Sequence, residues 1–185
     1  PGWSNRRSMD DTFHITVGET AEFSKTLTES DVAQFAAISG DFDPIHVDEA
    51  HARTTPFGRR IAHGILAMAV LSTVSAMISR RARERGSRGT SVSLGYDRIR
   101  FLKPAFIGDT LTARYTILEL DPATRRSRSK VEVVKGDGEL AVVGVPVKKK
   151  LPEAGGAAHG KGKMRGKQSP ACRCRRREIA RRARV

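Results

Sequence analysis

One long apolar run, Ile61 to Ile78, restricts the fold more than any other feature; Arg59-Arg60 precede it and Arg80-Arg81 follow it. Crossing a bilayer takes about 20 strongly apolar residues. Here His63, Ser72, Thr73 and Ser75 interrupt the run, and alanines and a glycine dilute it. The pattern therefore predicts a buried core helix in a soluble protein, with no membrane partner. A helix over His63 to Arg83 would be roughly 30 Å long at 1.5 Å per residue. It is apolar on nearly every face until its last turns, which predicts burial on more than one side. Ile65, Leu66, Ala69, Leu71, Val74 and Ile78 are the expected core residues.

The flanking segments say what encloses that helix. Glu19 to Leu27 alternates loosely and reads as a strand. Thr28-Glu29-Ser30-Asp31 offers an N-cap with an acid three residues later, close to a capping box. Val32, Phe35, Ala36 and Ile38 follow at helical spacing, and Gly40 is placed to end that helix. Pro44 lacks an amide and pushes Asp43 toward extended geometry, so residues 40–47 cannot continue it. Asp48 caps a short turn through Ala52, and residues 54–62 read as a loop. After the long helix only strands are expected: Ser91 to Lys103, Thr110 to Leu120, Ser127 to Lys135 and Glu139 to Val147. Gly136-Asp137-Gly138 supplies a hairpin turn between the last two. A buried helix followed by an antiparallel meander is an α+β arrangement, one antiparallel β-sheet wrapped around a long central helix.

Charge then divides the chain. The 185 residues carry a net +14. Residues 151–185 hold 11 Lys and Arg against Glu153 and Glu178, a net +9, which leaves only +5 for residues 1–150. Glycines mix with the basic residues beyond Leu151 and apolar periodicity stops, so this segment reads as a basic disordered tail able to bind polyanions nonspecifically. Residues 1–11 read as a disordered N-terminal segment, leaving 12–150 as one domain. Cys172 and Cys174, the only cysteines, both lie in the tail. A body without cysteine fits a reducing, cytoplasmic setting, and Pro1 to Gly18 contains no secretory-type apolar stretch.

Groups able to do chemistry concentrate between residues 39 and 72. Asp41 and His46 stand five positions apart in a loop stiffened by Pro44, so both side chains can point at one water. Asp41, Asp43 and His46 also form a D-x-D-x-x-H set that could supply metal ligands. Each residue has a plainer reading as well: Asp41 as a turn residue, His46 as a satisfied loop histidine, His63 as an N-cap, and Asp43 turned away to cap the turn. His14, His51 and His159 read as surface residues.

The stretch Ser39-Gly40-Asp41-Phe42-Asp43-Pro44-Ile45-His46-Val47-Asp48, with Phe57 to Gly64 after it, resembles the MaoC-like dehydratases, also called (R)-specific enoyl-CoA hydratases. Tyr96 to Pro104 and Gly108-Asp109-Thr110 resemble the same family, whose members often have Asn where Asp43 stands. The resemblance spans residues 12–150 and implies a hot dog fold, at least a homodimer, an acyl-CoA substrate and no cofactor or metal. It implies that Asp41 and His46 hold the attacking water, that the Gly64 N–H receives the thioester oxygen, and that Ser72 supports Asp41. Arg59, Arg60 and Lys103 are the candidates for the CoA phosphates, with Arg98 and Arg100 as further basic residues near the mouth. Two other readings stand beside the hydratase: a non-catalytic acyl-CoA-binding module, and a hot dog thioesterase.

Overall fold

In the computed structural model, which describes residues 12–153, the chain runs β1 (Thr20–Thr26), α1 (Glu29–Ser39), α2 (Pro44–Val47), α3 (Glu49–Arg53), α4 (Gly64–Glu84), β2 (Thr90–Phe101), β3 (Thr110–Asp121), β4 (Arg126–Lys135) and β5 (Leu140–Leu151). The expected disordered segments, 1–11 and the tail, lie outside the described residues except for Leu151, Pro152 and Glu153.

Local chemistry sets the boundaries. The Thr28 hydroxyl accepts from the Asp31 amide at 3.2 Å, and the Asp31 carboxylate accepts from the Thr28 amide at 2.8 Å, a complete capping box. The Thr28 amide, then the Lys25 ammonium, hold the Asp31 carboxyl below its ordinary range. Gly40 ends α1 with φ 78°, a left-handed conformation that costs glycine little.

The five strands form one antiparallel sheet in the order β1-β3-β4-β5-β2. Along β3 the period of two sends Leu111, Ala113, Tyr115 and Ile117 inward. On its outer face Thr110, Thr112 and Thr116 meet Thr26, Ser24 and Thr20 of β1 through hydroxyl pairs of 2.8–3.1 Å. The inward residues of β3 and β4 pack on α4, whose Leu71, Val74 and Ile78 are buried with them.

The opposite side of α4 departs from expectation. Ile65 is 58% exposed, Ala69, Ser72 and Ala76 are exposed too, and Leu66 is half-buried. One sheet covers one side of a helix, and among the described residues nothing covers Ile65, Ala69, Ser72 and Ala76 on the other. Of the six residues expected in the core, Ile65 and Ala69 therefore lie outside it.

Strand β5 also runs further than expected, past Val147 through Lys148-Lys149-Lys150. The Lys148 ammonium reaches under α4 and donates to the Ser79 hydroxyl at 2.6 Å and the Ser75 hydroxyl at 3.0 Å. No carboxylate is among these partners. Burial, with the Arg83 charge adding to it, pushes Lys148 down to about 8. Between pH 8 and the ordinary lysine range the unfolded chain binds more protons than the folded one, so this group makes stability rise with pH. Its charged form costs the fold at most about 3 kcal/mol at pH 7. Lys148→Met should therefore raise stability at pH 7, with the gap to the unaltered chain narrowing toward pH 10. Urea melts at the two pH values measure this; a gap independent of pH would contradict it.

Candidate active site

The loop between α1 and α3 owes its shape to two aspartates. Asp43 caps the single turn of α2, its carboxylate accepting from the Ile45 amide at 3.0 Å, with Pro44 at the first helical position. The Asp41 carboxylate accepts from the Asp43 amide at 3.2 Å and lies 4.0 Å from His63 Nε2, with half its side chain exposed. Asp43 thus turns away from the site, as its capping role requires.

That turn places His46 beside the segment leading into α4. His46 Nδ1 is 2.8 Å from the Ile61 carbonyl, and the Ile61 amide donates to the Ile45 carbonyl at 3.2 Å. A carbonyl only accepts, so Nδ1 carries a proton, and in the neutral ring the lone pair is on Nε2. The Ala62 amide donates to the Ala105 carbonyl at 2.7 Å, fixing the same segment to the β2–β3 link.

His63 is the residue that sequence reasoning did not place in the site. It is 2% exposed and holds the N-cap position of α4, yet its side chain makes no cap bond. Instead Nε2 donates to the Asp41 carbonyl at 3.0 Å, and the ring stacks on His46 with centroids 3.9 Å apart. His63 therefore ties the Asp41 backbone to the start of α4 and packs against the His46 ring. Its position directly before Gly64 is the signal that could have found it: Ser, Thr, Asp or Asn is the usual cap, and a histidine there invites a search for another partner.

Side-chain ligand atoms of Asp41, His46 and His63 lie within 4.8 Å of one another. This is a different trio from the D-x-D-x-x-H set, because Asp43 is engaged as a cap. His63 Nε2 is already committed to a carbonyl. The groups left facing one another are the Asp41 carboxylate and His46 Nε2, an arrangement suited to holding and deprotonating one water.

His46 opens onto a cleft of about 370 Å³ whose apolar lining includes Phe57, Ile61, Ala67, Phe101, Leu102 and Val142. Gly64, the first residue of α4, lies in its wall. The first amides of a helix lack intrahelical acceptors and the helix dipole is positive there, so this end of the cleft favours developing negative charge. A Cβ at position 64 would stand 3.1–3.2 Å from the Phe101 ring, so glycine also makes room for that ring. A mostly apolar cleft with an imidazole and a helix N-terminus in its wall suits an apolar chain attached to a polar carbonyl.

The other candidates fall unequally around this cleft. Lys103 lines it and pairs with Glu139 at 3.3 Å. The Arg59 guanidinium lies 3.9 Å from the centre of the Phe106 ring. Arg60 is engaged by Glu29 and Glu49, which raise its already high pKa. Ser72 is exposed on α4, with no hydrogen bond to Asp41 in this chain. Arg98 and Arg100 are exposed on β2, away from the cleft lining.

Comparison with known proteins identifies the fold and the family. The profile of the MaoC like domain matches residues 12–141. An (R)-specific enoyl-CoA hydratase of Aeromonas caviae is 35% identical over 135 residues, covering 73% of this chain and 95% of that one. A 3-hydroxybutyryl-CoA dehydratase of Methylorubrum extorquens is 38% identical over 139 residues, covering 72% and 83%. Among solved structures, the unliganded R-hydratase of Pseudomonas aeruginosa superposes with a TM-score of 0.65 at 34% identity, covering 76% of this chain and 84% of that one. With its antiparallel sheet wrapped on α4 and a family match running from residue 12 to the start of β5, the chain belongs to the MaoC-like dehydratase family and has the hot dog fold.

Proposed function

We propose that this protein is an enzyme catalysing the reversible hydration of a trans-2-enoyl-CoA to an (R)-3-hydroxyacyl-CoA. The observation that carries this reading is the Asp41 carboxylate and the His46 ring within 4.8 Å of each other, with His46 and Gly64 lining one largely apolar cleft. The acyl chain occupies the cleft, and its thioester oxygen accepts from the Gly64 N–H. Asp41 and His46 hold one water. As its oxygen bonds to C3, Asp41 takes a proton, and the π electrons move toward C2 and the thioester oxygen. The Gly64 amide and the α4 dipole stabilise that charge. The Asp41–His46 pair then returns one proton to C2 and ends as it began, so the reaction needs no cofactor or metal. Arg59 and Lys103 are the candidates for the CoA phosphates, Lys103 from the cleft lining and Arg59 from beside the Phe106 ring. Arg60 instead braces α1 and α3 on either side of the catalytic loop. Ser72 supports Asp41 only if the assembled enzyme brings them together.

The working form is a cytoplasmic homodimer. The exposed apolar residues Ile65, Leu94, Phe101 and Leu102 and the Ala69 face of α4 are the surface a second copy covers. Ala69→Asp should leave each chain folded, since Ala69 is exposed, yet shift the mass seen by light scattering from dimer to monomer. A variant that keeps the unaltered chain's dimeric mass would remove α4 from the interface. The net +9 of residues 151–185 accounts for nonspecific, salt-sensitive polyanion binding.

The activity is tested by incubating the protein with crotonyl-CoA, following the conjugated enoyl absorbance and free thiol together. Enoyl loss without thiol supports the hydratase. Thiol release would make the protein a thioesterase, and no change in either signal would favour a binding module.

A further inference from the structure

Most cations on the folded body face an acid. Arg60 pairs with Glu29 and Glu49, Arg81 and Arg85 with Glu19, Arg114 with Glu22, and Lys135 with Asp137 and Glu139. Arg59, Arg83, Arg98, Arg100 and Lys148 have no such partner among the described residues, and five further cations without one gather where β3 turns into β4, with Asp121 across from Arg126 the acid whose carboxyl feels that charge. Among the described residues, Arg88, Arg125, Arg126, Lys149 and Lys150 have no carboxylate within ion-pair distance.

Two grooves meet there. One, of about 520 Å³, is lined by His14, Arg88 and Arg125 among others; the second, of about 640 Å³, by Arg125, Arg126, Lys149 and Lys150. Arg125 forms a wall of both, and no acidic residue lines either. Backbone geometry singles out the same place. Of the three non-glycine residues with positive φ among the described residues, His14 and Arg125, both at 56°, line the first groove. Each such conformation costs on the order of 1 kcal/mol, and strain of this kind gathers where a ligand is held. Among the described residues, His14 Nδ1 and Arg125 Nε are also buried without a hydrogen-bond partner, so both side chains are packed into the groove floor. His14 is therefore not the plain surface residue expected from sequence. Lys150 is pushed down by burial and by the neighbouring Arg125 and Arg83 charges, as expected for cations crowded without a counterion.

We propose that the grooves around Arg125 form a second binding site, for a ligand carrying a chain of phosphate groups, with His14, Arg88 and Arg125 holding one phosphate and Arg126, Lys149 and Lys150 the next. The combined space far exceeds a single phosphate, hence a chain of them. Along α4, from Gly64 to Glu84, the axis advances roughly 30 Å, so within one chain this site is separate from the thioester cleft. The inference does not rest on the hydratase reading. The basic stretch of sequence from Leu151 onward follows directly, and Leu151 lines the second groove.

Titration calorimetry of the full chain with tripolyphosphate, and in parallel with a single-stranded oligonucleotide, tests the proposal against Arg125→Gly. Glycine adopts positive φ without strain, so this variant should melt no lower than the unaltered chain. Losing a charge-assisted contact should weaken tripolyphosphate binding about tenfold or more. Arg88→Ala should weaken it similarly. An equal loss with the oligonucleotide identifies nucleic acid as the source of the phosphates; a loss with tripolyphosphate alone identifies a small polyphosphate. Unchanged tripolyphosphate binding in the folded Arg125→Gly chain, or no binding by the unaltered chain, would overturn the proposal.

Discussion

Asp41→Asn and His46→Gln should each lower turnover of an enoyl-CoA by at least about a hundredfold, the usual contribution of a positioned acid or base, while leaving the protein folded. Asparagine retains the oxygen that accepts from the Asp43 amide at 3.2 Å, so the loop keeps its shape while the carboxylate's basicity is lost. Glutamine at 46 has an amide able to reach the Ile61 carbonyl but no basic nitrogen to leave facing the cleft. Asp41 is half exposed and His46 partly so, and neither belongs to the hydrophobic core, so melting temperatures should move little. Steady-state kinetics on the purified variants, with circular dichroism melts beside them, give the answer. Near-full activity in either folded variant would remove that residue from the mechanism.

Leu71→Ala should have the largest effect on stability of any conservative change in α4. Leu71 is fully buried, within the cluster formed by Val74, Leu111, Tyr115 and Val133. Removing its branched end leaves a cavity under a helix that the sheet already grips, so relaxation is limited. The expected loss is about 2–5 kcal/mol, a fall in melting temperature on the order of 10 °C for a folded body of this size. A Leu71→Ala variant melting with the unaltered chain would mean that α4 is not the core of the fold. Contrast with Ala69→Asp separates the two sides of the helix: one side carries stability, the other association.

Much of the fold was legible because its signals are local or strictly periodic. Thr28 with Asp31 marks the start of α1, Gly40 its end, and Asp43-Pro44 and Asp48 the two short turns, each through a hydrogen bond between near neighbours. The alternation Leu111, Ala113, Tyr115, Ile117 gives the inner face of β3 outright. Ile65 and Ala69 were harder. Apolar character on all sides of a helix says that every side wants covering, but not whether a sheet or a second chain does it. Lys148 to Lys150 hid the end of β5, since a run of lysines reads as solvent-exposed until Ser75 and Ser79 are found above Lys148. At the site, the pattern singled out Asp41, His46 and Gly64, and the structure sets Asp41 close to His46 and Gly64 in the same cleft wall as His46. His63 was not singled out, because its role depends on a contact with the Asp41 carbonyl 22 residues away. Arg60 likewise looked like a phosphate ligand until Glu29 and Glu49 were seen on either side of it.

The configuration of the product tests the central claim most directly. After incubation of the purified protein with crotonyl-CoA, the 3-hydroxybutyryl-CoA formed is analysed with stereospecific dehydrogenases or chiral chromatography. The arrangement of Asp41, His46 and the Gly64 amide in a MaoC-like hot dog domain predicts the (R)-product alone, with no free CoA, and its loss in Asp41→Asn. An (S)- or racemic product, or release of free CoA with the enoyl chain intact, would contradict the account.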